Sequence, residues 1–94
     1  MAFLTVVRFK GDTDQMLEHI KEADATVSPI AREHGGLVHV VARSDDGVVM
    51  VNLWESKEGS DAMAADPRFR EAVANDQMPQ PEFEHYDVAW HELS

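Results

Sequence analysis

Val48-Val49-Met50-Val51-Asn52-Leu53-Trp54-Glu55-Ser56, taken as an extended strand, places Val49, Val51 and Leu53 on one face and Val48, Met50, Asn52 and Trp54 on the other. Both rows are apolar, and Asn52 alone interrupts them. A strand with one face in water alternates apolar and polar residues, so this one is expected to be covered on both sides. Ser56 then stands where a helix N-cap belongs. The segment from Lys57 reads as helix as far as Asp66-Pro67, where Asp can cap a second piece and Pro fits its first turn.

Toward the N-terminus, Ser44-Asp45-Asp46-Gly47 joins this strand to another, Leu37 to Arg43, and Asp46-Gly47 predicts a tight antiparallel hairpin with positive φ. Upstream lies an amphipathic helix. Asp12 or Thr13 caps it, Met16, Ile20, Ala23, Val27, Ile30 and His34 recur at steps of four and three, and Gly35 stops it. Pro29 predicts a kink or a restart near Ser28, because it lacks an amide hydrogen and clashes with the preceding turn. The first strand, Ala2 to Lys10, is two-sided like the central one, with Leu4 and Val6 opposite Phe3, Val7 and Phe9. Toward the C-terminus, a proline-containing connector over 77–82 leads to a last strand, Phe83 to Leu93. There Tyr86, Val88 and Trp90 share one parity, and His85, Asp87 and His91 the other.

The resulting order is β-α-β-β-α-β, an α+β ferredoxin-like pattern: a four-stranded antiparallel sheet with two helices on one face, residues 1–94 forming a single domain. Two helices shield one face, yet both are apolar. A second copy is the economical cover, giving a homodimer that closes into an α/β barrel. Burying about six to eight such side chains at roughly 1.5 to 3 kcal/mol each outweighs typical association costs.

Composition narrows the partners. The chain has 8 Lys and Arg against 18 Asp and Glu, a formal charge of −10, so nucleic acid and anionic membranes are expected to be repelled. With no cysteine, disulfides, thiolate nucleophiles and Cys-held metals are excluded, which suits the cytoplasm. The opening MAFLTVV is shorter than a signal-peptide core and has no basic leader, so a soluble, unprocessed protein is expected. No nucleophile elbow or phosphate-cradling glycine loop occurs; Gly35-Gly36 reads as a helix stop followed by a strand start.

Taken whole, and most tellingly in Val48 to Val73 with its Trp-Glu-Ser step and "DPRF", the sequence resembles the dimeric α/β barrel superfamily, in particular the antibiotic biosynthesis monooxygenase type of domain. The resemblance implies a small, largely apolar organic ligand between sheet and helices. The implied activity is a cofactor-independent oxygenation of an aromatic or polyketide-like substrate; the alternative is a non-catalytic ligand-binding or stress-response domain. The heme-degrading branch of that superfamily uses an Asn, a Trp and a ligating His at positions that fall here on Val7, Met63 and Val73. Valine cannot ligate iron, so heme cleavage and a cofactor are not expected.

Candidate site residues follow. His39 suits proton transfer near neutral pH, or is an edge-strand imidazole in water. Asn52, a lone amide in an apolar row, needs a partner, either a ligand carbonyl or a backbone group. These two are the catalytic candidates. Trp54 either fills a seam or walls a pocket, and with Thr5 and His85 it makes the substrate-binding set. Thr5 is expected to face the pocket with Val7, and Arg8 to point toward the helix side or emerge at the strand end in a structural role. His85, Asp87 and His91 share a parity, but spacing of two on a strand is common by chance and no metal is expected. Arg68 and Arg70 are expected to pair with nearby carboxylates. His34 suits a helix C-terminus as a cation.

Overall fold

The structure is a computed structural model and describes residues 1–74 and 78–92. The elements are β1 (Phe3–Lys10), α1 (Thr13–Glu33), β2 (Gly36–Ser44), β3 (Gly47–Trp54), α2 (Lys57–Ala65), α3 (Pro67–Ala74) and β4 (Glu82–Asp87). The strands form one antiparallel sheet in the order β2-β3-β1-β4, with β1 beside both β3 and β4. This is the ferredoxin-like arrangement read from the sequence, with the helices on one face.

Local chemistry explains the helix ends. Asp12 caps α1 by accepting a bond from the Gln15 amide at 3.0 Å, and Ser56 caps α2 by accepting one from the Gly59 amide at 3.1 Å. The α1 helix ends at His34, where Gly35 takes φ 87°, the left-handed region that glycine enters without a Cβ penalty. Asp66 separates α2 from α3 and accepts the Arg68 amide at 2.8 Å, with Pro67 opening α3.

Three expectations are corrected. Of the kink or restart expected near Ser28, the restart does not occur: helix α1 runs as one 21-residue element with Pro29 inside it. Pro29 and Ala25 are both exposed, so the carbonyl that loses its i+4 donor faces water, which can satisfy it. The β2–β3 turn has no positive φ. Ser44 pairs with Gly47, Asp45 and Asp46 form the loop, and positive φ values belong to Gly11 and Gly35. Glycine is needed at 47 for space, because a Cβ there would lie 1.9 Å from the Phe9 carbonyl oxygen on β1. The last strand stops at Asp87 among the described residues, and its expected end, Leu93, lies outside them, as does Gln77 at the start of the connector. Trp90, beyond the strand, is 81% exposed.

The two faces of the sheet differ. On the helix side the core splits into two clusters: Val7, Phe9, Met16, Ile20 and Val48 at one end, and Phe3, Ile30, Trp54 and Met63 at the other. On the opposite side, register aligns Val38, Leu53, Leu4 and Tyr86 across the four strands, with Val40, Val51 and Val6 alongside. None of these is buried, and Val40 and Tyr86 are among the most exposed large apolar residues. Arg8 lies on this open side. It pairs with Glu84 at 2.8 Å instead of turning toward the helices.

Candidate functional site

Between the two apolar clusters lies one polar level. Register sets His39 of β2 opposite Asn52 of β3, Asn52 opposite Thr5 of β1, and Thr5 opposite His85 of β4. All four share the helix-facing parity, one step along from Trp54 and Phe3. A four-strand polar row across a core is costly unless its groups are bonded. Here most are. His39 Nδ1 meets Asn52 Oδ1 at 2.5 Å, Asn52 Nδ2 donates to Thr5 Oγ1 at 3.3 Å, and Trp54 Nε1 donates to the same oxygen at 3.3 Å. The other imidazole nitrogen, Nε2, lies 3.0 Å from Asp24 Oδ2 on α1. A continuous chain therefore runs Asp24–His39–Asn52–Thr5–Trp54, from a half-exposed rim to two buried residues.

Sequence reasoning named every member of this chain except Asp24. A signal existed: Asp24 is four residues after Ile20 and three before Val27, so it sits on the apolar stripe of α1, where an acidic side chain needs a partner. It is the helix residue at the level of the polar row. Leu37, in contrast, does not share a row with His39, because a register irregularity between Gly36 and Val38 removes it from the regular pairing.

His85 takes a different place. Its ring stacks on Phe3 with centroids 5.8 Å apart and on Phe83 at 6.1 Å. Among the described residues it makes no side-chain hydrogen bond to the row. Phe83 is 60% exposed on the helix side of β4, so the two rings form a flat wall beside Thr5 that a planar molecule could cover. Trp54 is buried with Phe3, Ile30 and Met63. It is thus core, and its indole N–H enters the polar chain.

Two open grooves accompany this arrangement. One, of about 690 Å³, runs between α1 and α3 and is lined by Ala23, Thr26, Ile30, Arg68 and Glu71 among others. Ile30 belongs to the cluster holding Trp54 and Phe3, so the groove floor reaches the apolar side of the site. The other, of about 300 Å³, is lined by Met16, His19, Met78 and Pro79 and lies at the opposite end of the core. His19 borders both. Neither lining includes His39 or Asn52.

A second titratable cluster serves the scaffold. Asp66 accepts bonds from His34 Nε2 at 2.9 Å and from the Arg68 side chain, which also reaches Glu33. Arg68, and then His34, hold the Asp66 carboxyl well below the usual carboxylate range. This knot ties the end of α1 to the α2–α3 junction. Arg68 is therefore already paired, as expected. Among the described residues no three His, Asp or Glu side chains converge in a way that could hold a metal ion. The heme-branch positions Val7 and Met63 are buried in the two apolar clusters. Among the described residues no helix is long and apolar enough to cross a membrane.

No protein-family model matches the chain, and no curated protein matches it in sequence. Solved structures do. A monooxygenase from the ActVA-Orf6 gene of Streptomyces coelicolor, in complex with the ligand Nanaomycin D, is 27% identical, with 99% of this chain and 92% of that one covered at a TM-score of 0.74. SnoaB of Streptomyces nogalater, a cofactor-independent oxygenase, is 16% identical over 96% of this chain and 93% of its own, TM-score 0.68. A dimeric ferredoxin-like protein from an uncultured marine organism is 17% identical over 99% and 92%, TM-score 0.69. Further neighbours, from Nitrosomonas europaea and Caulobacter crescentus, carry the name antibiotic biosynthesis monooxygenase and are each 18% identical over 95% of this chain and 91% of their own, at TM-scores of 0.71 and 0.74; the chain has the ferredoxin-like fold that all of these share.

Proposed function

We infer that the chain is a homodimeric, cofactor-independent monooxygenase acting on a planar phenolic substrate of aromatic or polyketide-like type. The observation that carries this reading is the hydrogen-bonded row His39–Asn52–Thr5–Trp54 crossing an otherwise apolar face beside the exposed Phe83–His85 wall. The likeness to a monooxygenase bound to Nanaomycin D supports it. An electron-rich phenol, once deprotonated, can itself reduce O2. A ring CH2 and O2 become C=O and H2O, and the substrate supplies every electron. In this reading, the protein's tasks are to stack the ring against Phe83 and His85, to take the phenolic proton at His39, and to orient the oxyanion with Asn52 and Thr5.

The dimer belongs to the same reading. Leu4, Val6, Val38, Val40, Val49, Val51, Leu53 and Tyr86 lie unburied on one sheet face. A second copy supplies an apolar face of the same shape, and such isologous contacts close on themselves. A dimeric neighbour of the same fold supports it.

Oxygen uptake with a panel of polyphenols and hydroxylated anthrones tests the activity. Wild type is expected to turn over at least one of them, and Asn52→Ala and His39→Ala to lower kcat by roughly 10²- to 10⁴-fold. A second reading, a ligand-binding domain without chemistry, is favoured by one observation: both ring nitrogens of His39 already have protein partners. If wild type binds the panel yet consumes no oxygen, that second reading replaces the first.

A further inference from the structure

Asp24 is an acceptor when ionised, so the His39 Nε2 that faces it at 3.0 Å carries a hydrogen. The chemistry of the row then turns on Nδ1. If Asn52 presents its carbonyl oxygen to Nδ1, that nitrogen must also carry a hydrogen and His39 is an imidazolium; the Asn52 NH2 then donates to Thr5 Oγ1, which accepts from Trp54 Nε1 as well. If His39 is neutral, its hydrogen stays on Nε2 against the carboxylate, and Nδ1 becomes a lone pair. Asn52 must then turn its NH2 to Nδ1 and its oxygen to Thr5, which changes from acceptor to donor. Trp54 Nε1 can donate and nothing else, so it fixes one lone pair of Thr5 in both states.

We propose that Asp24 is a positioning residue that holds His39 as the Nε2–H form, and that each proton gained or lost at Nδ1 reverses the Asn52 amide and with it the donor direction of Thr5. The row is thereby a switch linking a half-exposed imidazole on β2 to a buried hydroxyl on β1. Among the described residues, Asp24 on α1 is the charged group bonded to His39. Asn52 on β3 is neutral, Arg43 on the same face of β2 is bonded to Asp14, and α2 and α3 make no hydrogen bond to the ring.

The use of this switch in catalysis rests on the oxygenase reading; the switch itself does not. In that reaction the phenolic proton, passed through solvent to Nδ1, turns the amide and frees the Thr5 hydroxyl hydrogen for a developing oxyanion. The proton is returned when the second oxygen atom leaves as water.

Nuclear Overhauser effects from the Asn52 side-chain amide hydrogens, recorded on the labelled full chain on either side of the His39 titration, test the proposal. With His39 protonated, the contacts expected are to the Thr5 methyl and the Trp54 indole N–H. With His39 neutral, those are lost and contacts to the His39 ring replace them. In Asp24→Ala, neutral His39 can keep its hydrogen on Nδ1, so the amide is expected to stay facing Thr5 throughout, and the ring 15N shifts to move toward the Nδ1–H tautomer. Asp24→Glu is expected to restore the turn. Unchanged contacts across the titration in wild type, or a turn that persists in Asp24→Ala, overturn the proposal. An amide turn without oxygen consumption removes the oxygenase reading and leaves the switch standing; turnover without an amide turn does the reverse.

Discussion

Thr5 and Val6 are adjacent on β1 and face opposite worlds. The helix side of the sheet is packed in two apolar clusters with a polar row between them, in which His39, Asn52, Thr5 and the Trp54 indole find partners inside the chain. The open side is apolar, regular and uncovered, apart from a charged corner at Arg8, Glu84 and Tyr86. Irregularity is expensive, so where it occurs in a core it marks chemistry; regularity without cover marks assembly. The two faces thus divide the work of the proposed function, one holding the reaction and the other the second subunit.

The sharpest way to break that division is to charge the centre of the open face. Val51 pairs in register with Val6 on one side and Val40 on the other. In a dimer, Val51→Glu buries an unpaired carboxylate from each subunit, at about 3 to 5 kcal/mol for each charge left without a partner. The dimer is expected to weaken by about ten-thousandfold or more, and sedimentation to shift from dimer to monomer at micromolar protein. A wild-type chain that already sediments as a monomer there would remove the assembly role of this face.

Next in size is the helix side. Thr5→Val nearly keeps the shape but takes away the acceptor of both Asn52 Nδ2 and the buried Trp54 Nε1. Leaving such donors unpaired costs about 1 to 3 kcal/mol, and each kcal/mol lowers Tm by about 4 to 8 °C in a domain of this size. Thermal melts measure it. A variant as stable as wild type would mean that the row is not held together by Thr5, and the contrast between the faces would lose its physical basis.

Element types, their order along the chain and the two-sided sheet were legible because they rest on period and caps: the 2-residue alternation of β3, the 3–4 spacing of α1, and Ser56 and Asp66 at helix starts. The sequence also singled out Thr5, His39, Asn52 and Trp54, since polar or large aromatic residues on apolar parities stand out. That His39, Asn52 and Thr5 share one level was hidden, because it follows from strand register: the loop is Asp45-Asp46, which pairs Ser44 with Gly47 and so His39 with Asn52, whereas a turn centred on Asp46-Gly47 would displace that pairing by two residues. Asp24 was overlooked as one acid among many in a chain with 18. The role of Gly47 misled for a related reason: turn chemistry is local, whereas the approach of the Phe9 carbonyl is a tertiary fact. For Arg8 the sequence reading left two places open, the helix side or the strand end, though the same alternation that places Thr5 and Val7 inside puts it on the open face.

The smallest effect separates two carboxylates, one in each layer, that are each held by two partners. Asp66 lies under Arg68 and His34 in the helix layer, with its side chain 8% exposed; Glu84 lies on the open side between Tyr86 and Arg8, 38% exposed. Arg68 and His34 depress the Asp66 carboxyl, and the Tyr86 hydroxyl with Arg8 depresses that of Glu84. A carboxyl depressed in the folded state adds stability that is fully present above its unfolded value, about 4, and is lost as pH falls through the folded one. Denaturant unfolding between pH 5 and pH 2 should therefore show stability falling with acid. Asp66→Asn, which keeps the cap to the Arg68 amide but not the charge, is expected to flatten that slope, and Glu84→Gln to flatten it less, because solvent screens the exposed pair. The reverse ranking would mean that the open-side corner is already shielded, as it would be with a second copy bound at that corner.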